Sequence, residues 1–212
     1  MKRKKDKLIF EGITFDSEEE IQFYIFLRDA KRLGLIVDFQ YQPESFLLVP
    51  KATEDIIVNL KSGKQKVKTK VLYREHSYTA DFWVKVNPEK FYNSVILNSS
   101  KIRLIDDEFY VDVKGDYNRH GGDRIFPIHQ KLVFWKYHKH VNKIVPDEFF
   151  KSIGFIPEEL RWIKRRKVKT LRPKYLNLRS LETIFENNQT QTNIGFLPTV
   201  ETFTANVRKN CC

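Results

Sequence analysis

Residues 109–115 read Phe109-Tyr110-Val111-Asp112-Val113-Lys114-Gly115, an apolar strand carrying one acid and one lysine and closed by glycine. Side chains alternate along a strand, so Asp112 and Lys114 share one face while Val111 and Val113 take the other. A carboxylate and an ammonium at that spacing can hold a divalent ion and a water side by side. On spacing alone the pair reads first as a surface ion pair worth ~0–1 kcal/mol. Asp81 shifts that reading. It lies in Tyr78-Thr79-Ala80-Asp81-Phe82, at the head of an aromatic strand predicted over 78–86. A buried acid costs free energy unless a cation or hydrogen bonds compensate, and two carboxylates from neighbouring strands suit a hard ion such as Mg²⁺.

Working outward, Ser17–Leu33 is free of Gly and Pro and ends at Gly34, which predicts a deeply packed helix. Ser17-Glu18-Glu19-Glu20 fits a capping box, with Ser17 as N-cap and Glu20 reaching back to its amide. Helical periodicity does not choose between Glu19 and Glu20 as the inward-facing acid. Short strands are predicted at Ile36–Gln42 and Ser45–Val49, broken by Pro43. Ile56–Leu60 and Lys66–Tyr73 read as a hairpin with a lysine-rich outer face about Ser62-Gly63. Asn87–Ser100 reads as loop, Ile102–Ile105 as an extra strand, and Tyr117–Asp123 as a mobile glycine loop. Pro127 opens a second helix to about Lys139, Lys143–Val145 is a last short strand, and Pro157 starts a basic helix through Trp162. Trp83 and Trp135 read as core. Trp162, amid cations, suits either a stacked base or docking of its arm.

The chain of 212 residues is 41% hydrophobic and 14% aromatic, which excludes wholesale disorder. No apolar run reaches the ~18 residues of a membrane helix, and no signal-peptide segment follows the basic start. An intracellular, cytoplasmic protein is expected, without a membrane partner. Cys211 and Cys212, side by side, can neither staple the fold nor build a zinc site. Charge is unevenly placed: 38 Lys+Arg against 27 Asp+Glu give +11. Met1–Lys7, with Lys2, Arg3, Lys4 and Lys5, contributes +4. Arg161–Lys174, with Arg161, Lys164, Arg165, Arg166, Lys167 and Lys169, contributes +8 and contains no acid. Two cationic arms on a nearly neutral body favour a polyanionic partner. Eight phosphate contacts would give a log–log salt slope of roughly −7.

In order, a helix bearing Glu, a strand bearing Asp, an Asp-x-Lys strand and a helix bearing Lys resemble the PD-(D/E)xK nuclease superfamily. More narrowly, the chain resembles phage and prophage endonucleases related to Holliday-junction resolvases. The resemblance runs from about Phe10 to Val145. It is carried by Phe15-Asp16-Ser17 with Glu20, Gln40-Tyr41-Gln42-Pro43, Tyr78-Thr79-Ala80-Asp81-Phe82, Val111-Asp112-Val113-Lys114-Gly115, and Phe126 with Lys131 and Leu132. Asp112 stands where many relatives carry Glu, and Asn87–Asp107 must be an excursion that leaves two strands adjacent.

The resemblance implies an α/β, restriction-endonuclease-like core: a mixed central sheet flanked by the Glu20 and Lys131 helices. The expected organisation is a basic arm at 1–7, a nuclease domain at 8–146, a basic C-terminal helical appendage at 147–186 and a flexible polar tail at 187–212. Asp81, Asp112 and Glu20 are implied as metal ligands, with the Val113 carbonyl beside them. Lys114 is implied as the catalytic lysine, and Lys131 as a phosphate contact. The implied activity is a Mg²⁺-dependent DNA endonuclease, with Mn²⁺ as substitute, acting on branched or junction DNA. A homodimer would suit the cutting of two strands. The alternative is a non-catalytic DNA-binding or particle-associated protein on the same fold.

Overall fold

A computed structural model describes residues 8–92, 94, 96, 102–115, 124–165 and 168–183, without the side chains of 163–165 and 168–170. The expectations for Lys2, Arg3, Lys4, Lys5, Arg166 and Lys167, for the 117–123 glycine loop and for the tail from 187 lie outside the described residues. So do those for the side chains of Lys164, Arg165 and Lys169.

A hairpin of β1 (Leu8–Phe10) and β2 (Ile13–Phe15) leads into α1 (Glu18–Arg32). Ser17, extended at φ −148°, caps this helix through its hydroxyl. Apolar residues on several sides of α1 predict deep packing, and Phe23, Ile25, Phe26, Leu27 and Ala30 are all buried. The chain continues through β3 (Ile36–Tyr41), β4 (Phe46–Val49), β5 (Ala52–Asn59), β6 (Gln65–Tyr73), β7 (His76–Tyr78), β8 (Phe82–Val86), α2 (Pro88–Phe91) and β9 (Glu108–Val113). Then come α3 (Phe126–Tyr137), β10 (Val141–Ile144), α4 (Pro146–Ile153), β11 (Phe155–Ile156), α5 (Glu158–Arg161), β12 (Trp162–Arg165), β13 (Val168–Leu171) and β14 (Arg179–Ser180).

The central sheet has four strands in the order β10-β9-β8-β3. β3, β8 and β9 pair antiparallel, and β10 adds parallel to β9, so the sheet is mixed. The long 87–107 excursion does leave β8 and β9 adjacent, with Phe82 opposite Val111 and Trp83 opposite Tyr110. Alternation then sorts the core. Phe82, Val84, Val111 and Val113 join Phe23 and Phe26 of α1, while Ala80, Val141 and Tyr110 join Phe126 and Val133 of α3 and Phe46 of β4. The two helices therefore cover opposite faces.

Several expectations need correction. The strand predicted over 78–86 is two strands. Tyr78 pairs with Phe46 in the β4–β7 layer, and the chain crosses at Thr79–Asp81 into the central sheet, where Phe82 begins. Ile102–Ile105 is not a strand; Ile105 makes a single bridge with Glu108. The helix expected from Pro157 through Trp162 is present as the single turn Glu158–Arg161, but beyond it, where the appendage was expected to be helical, Trp162–Arg165 pairs antiparallel with Val168–Leu171. A helix there would stack like charges three and four residues apart, whereas the β-branched Ile163, Val168 and Thr170 favour a strand. Pro146 does stop β10, but it also occupies the first turn of α4, a position its fixed φ suits. The appendage expected at 147–186 packs into the body through its described residues. Phe149, Phe150, Ile153, Tyr175 and Leu181 share one core with Phe23 and Leu27. Trp135, expected in the core, is 75% exposed.

Candidate active site

Asp81 stands at the head of β8, held on both sides by backbone. Its carbonyl accepts from the Gln42 amide at 2.8 Å, and its amide donates to the Val111 carbonyl at 2.9 Å. Gln42 is held at φ 46°, a left-handed conformation uncommon outside glycine, so the turn after β3 is shaped to meet Asp81. One carboxylate oxygen of Asp81, Oδ2, accepts a 2.6 Å bond from the Val113 amide. The Val113 side chain points to the α1 face of β9, and Asp112 and Lys114 to the other. Asp112 is only 5% exposed, and the Lys114 ammonium donates to it at 2.9 Å. The reading of this pair as an exposed surface bridge therefore fails: one partner is buried, while the Lys114 side chain remains 35% exposed.

Burial and the neighbouring charge of Asp112 push the Asp81 carboxyl up to about 7, against the pull of the Val113 amide and the Lys114 charge. Tyr78 lies beside the two acids. Burial first, then the charges of Asp112 and Asp81, hold its phenol protonated. Its buried hydroxyl has no hydrogen-bond partner among the described residues. His129 of α3 stacks obliquely on the Tyr78 ring, and its Nε2 lies 2.9 Å from Nε2 of His76. Burial and His76 lower the His129 pKa, opposed by the charge of Asp112.

Glu20 is 6% exposed and fully engaged. Oε1 accepts from the Ser17 hydroxyl at 3.0 Å. Oε2 accepts from the Asp16 amide at 3.1 Å, one residue before the amide expected, and from the Tyr41 hydroxyl at 2.7 Å. Its charge nonetheless acts on Asp81, and Gln42 links the two regions by donating to the Tyr41 oxygen at 3.2 Å. Glu20 is thus both a helix cap and a neighbour of the acid pair. Glu19 sets its carboxylate against Gly115, the residue after Lys114.

The structure brings Asp81, Asp112, Val113 and Lys114 together, with Glu20 behind them. Among the described residues no hydrogen bond or ion pair ties Lys131 to them. That side chain is exposed and sits two residues, about 200° of helical turn, beyond His129, which faces the site. Arg161 is no free phosphate contact, being paired with Glu158 at 3.0 Å. Trp162 donates its indole N–H to the same Glu158, which favours docking of its arm over a stacked base. Sequence reasoning missed Tyr41, Gln42, Tyr78, His76 and His129 as site residues. Only Gln42 and Tyr41, next to Pro43, and Tyr78, within the Asp81 segment, carried any signal.

Among the described residues, no three Asp, Glu, His or Cys side chains converge closely enough to hold an ion by themselves. The donor chemistry still suits a hard divalent cation. Burial and the charge of Asp112 raise the cost of ionising Asp81, and an orphaned hydroxyl stands beside them; bound positive charge would relieve both. On the same sheet face, one rung along from the acids, Trp83, Tyr110 and Tyr137 line a cleft of about 530 Å³ with Gln40 and Glu44. Its rings can stack an unpaired base.

A family model described as "Protein of unknown function (DUF1064)" matches residues 1–96, less than half of the 212-residue chain. Over that range, which takes in Glu20 and Asp81 but not Asp112 or Lys114, the chain is similar to that family. Comparison with curated proteins and with solved structures finds no match. No helix among the described residues is long and apolar enough to cross a membrane.

Proposed function

We propose that this chain is a divalent-metal-dependent DNA endonuclease of the restriction-endonuclease-like fold, with branched or junction DNA as its substrate class. The observation that carries the reading is the convergence of Asp81, Asp112 and Lys114 at one end of adjacent strands, one half-buried acid, one buried acid and one accessible ammonium. The order α1-β3-β8-β9-α3-β10, with a helix on each face of a four-stranded mixed sheet, supports the fold assignment. The aromatic cleft beside the acids supports a substrate with unpaired bases.

Asp81, Asp112 and the Val113 carbonyl would hold Mg²⁺ or Mn²⁺. When bound, the cation supplies positive charge to the phosphoryl oxygens and acidifies the attacking water. Asp81 must first give up the proton that Asp112 and burial favour; its Val113 bond fixes Oδ2 meanwhile. Lys114 donates to Asp112 and presents its ammonium toward solvent, where it can hydrogen-bond a phosphoryl oxygen or the water. Tyr78 is held as a phenol, which makes it a donor and not a nucleophile, so water attacks and no covalent intermediate forms. Glu20 sets the field behind Asp81 and anchors α1 to β3 through Tyr41.

The rival reading, a non-catalytic DNA-binding protein, draws on the full engagement of the Glu20 oxygens. Plasmid nicking tests the choice. Supercoiled DNA with Mg²⁺ or Mn²⁺ is expected to be nicked and linearised by the wild-type chain, and left intact with chelator. An inert protein that binds the plasmid in both cases would favour the rival.

A further inference from the structure

The β5–β6 ribbon has no part in the acidic site. Its strands pair from Ala52–Tyr73 to Asn59–Gln65, and Leu60–Lys64 closes the turn with Gly63 at φ 77°. All nine residues of β6 are exposed, and in β5 only Ala52 and Ile56 are half-buried. At ~3.4 Å per residue, β5 extends about 27 Å. A two-stranded ribbon without a covering layer is marginal in water. One this long is better explained by an external partner than by the core.

Its two faces differ in charge. Register puts Val58 opposite Lys66, Ile56 opposite Lys68 and Glu54 opposite Lys70. With Lys64 at the same parity, one face carries four lysines and a single acid. The other face, with Asp55, Ile57, Val67 and Thr69, carries no lysine within the paired strands. Among the described residues none of the four lysines is held in an ion pair. The ribbon also rises next to the acids: β6 passes through Arg74 and Glu75 into β7, whose Tyr78 neighbours Asp81 and Asp112.

We propose that the lysine face of β5–β6 is a duplex-DNA-binding arm, laid along the groove beside the phosphodiester at the acidic site. The inference rests on the DNA reading above but not on its chemistry. A major groove ~12 Å wide admits a two-stranded ribbon. Alternate lysines stand ~7 Å apart, so Lys64 to Lys68 span about 14 Å, a length over which each DNA strand carries about four phosphates. Binding therefore releases counterions in proportion to the lysines engaged.

The test is fluorescence anisotropy of the full chain on a labelled 30-bp duplex in chelator, titrated at several salt concentrations between ~50 and ~200 mM. Replacing Lys64, Lys66 and Lys68 together with Thr, which suits a strand, should make the log–log salt slope shallower by about 2.7 and weaken binding at least tenfold. The same three positions as Arg should restore the wild-type slope, which separates lost charge from lost folding. Lys31, Lys85 and Lys90 changed together to Gln should leave it unaltered. A Thr variant with wild-type slope and affinity overturns the arm. So does a wild-type dimer in sedimentation that Ile57→Ser with Val67→Ser dissociates while the Thr variant binds DNA normally, since the ribbon would then join two copies. Cleavage in Mg²⁺ is scored separately. A shallower slope in a protein that never cuts upholds the arm and sinks the nuclease; wild-type cutting with an unchanged slope does the reverse.

Discussion

Asp81 accepts its 2.6 Å hydrogen bond from the amide of Val113, the residue between Asp112 and Lys114. One strand thereby fixes the carboxylate of the other, independently of any side chain. Two acids that repel are held together by backbone. The fold therefore carries a standing electrostatic cost at this point.

Tyr78→Phe removes a buried hydroxyl that has no partner among the described residues. Unsatisfied buried polar groups cost about 1–3 kcal/mol, so the variant should melt at the wild-type temperature or above it. Cleavage should fall, because the phenol is a donor beside the acids. A melting temperature well below wild type would mean that the hydroxyl is satisfied in solution.

Glu20 and Ser17 should separate by readout. The capping box accepts Gln as well as Glu at its third position, so Glu20→Gln should shift the melting temperature little while lowering cleavage. Ser17→Ala loses the cap, at about 0.5–2 kcal/mol, and should melt earlier yet cut normally once corrected for folded fraction. Equal activity of Glu20→Gln and wild type would confine Glu20 to its structural role.

Stability should depend on pH through Asp81. Burial and Asp112 raise its folded value to about 7, above the ~3.9 of an unfolded Asp. Between those values the folded state holds a proton that the unfolded state releases. The contribution is full below about pH 4 and is lost as pH rises through about 7. In chelator, the wild-type melting temperature should therefore decline over this range more than that of Asp81→Asn. Mg²⁺ should stabilise the wild type more at pH 8 than at pH 5, because the ion competes with the proton. A profile shared by wild type and Asp81→Asn would contradict the coupling.

Much of this site was legible in sequence because strand periodicity is rigid. Asp112 and Lys114 had to share a face, and an acid at Asp81 in aromatic surroundings needed compensation. What compensates it, the Val113 amide, was not legible, since backbone partners depend on register. Glu20 stayed ambiguous for a related reason: a capping acid and a site acid obey the same helical spacing, and only Tyr41, from β3, shows that this one is buried. His129 emerged only when α3 was placed over β7. Lys131 lies two residues along α3 from His129, so its side chain leaves a different side of that helix. Beyond the short helix that Pro157 opens, the basic segment is extended where a helical appendage was expected, because charge says nothing of backbone; its β-branched residues did.

Phe150 tests whether the C-terminal segment belongs to the body. It is 0% exposed and meets Phe26 and Tyr175 edge-on or tilted, at 6.1 and 6.5 Å between centroids. Phe150→Ala should cost about 3–5 kcal/mol and lower the midpoint of one cooperative transition. Two transitions, with only the second moved, would make residues 147–181 a unit of their own.

The most direct test is single-turnover cleavage of a four-way junction by excess protein in Mg²⁺, with binding measured in parallel. Asp112→Ala and Lys114→Ala should each cut slower by on the order of 10²–10³-fold while binding the junction as wild type does. Cleavage by either variant at the wild-type rate, or a wild type that binds and never cuts, would contradict the assignment of hydrolysis to this acid pair and its lysine.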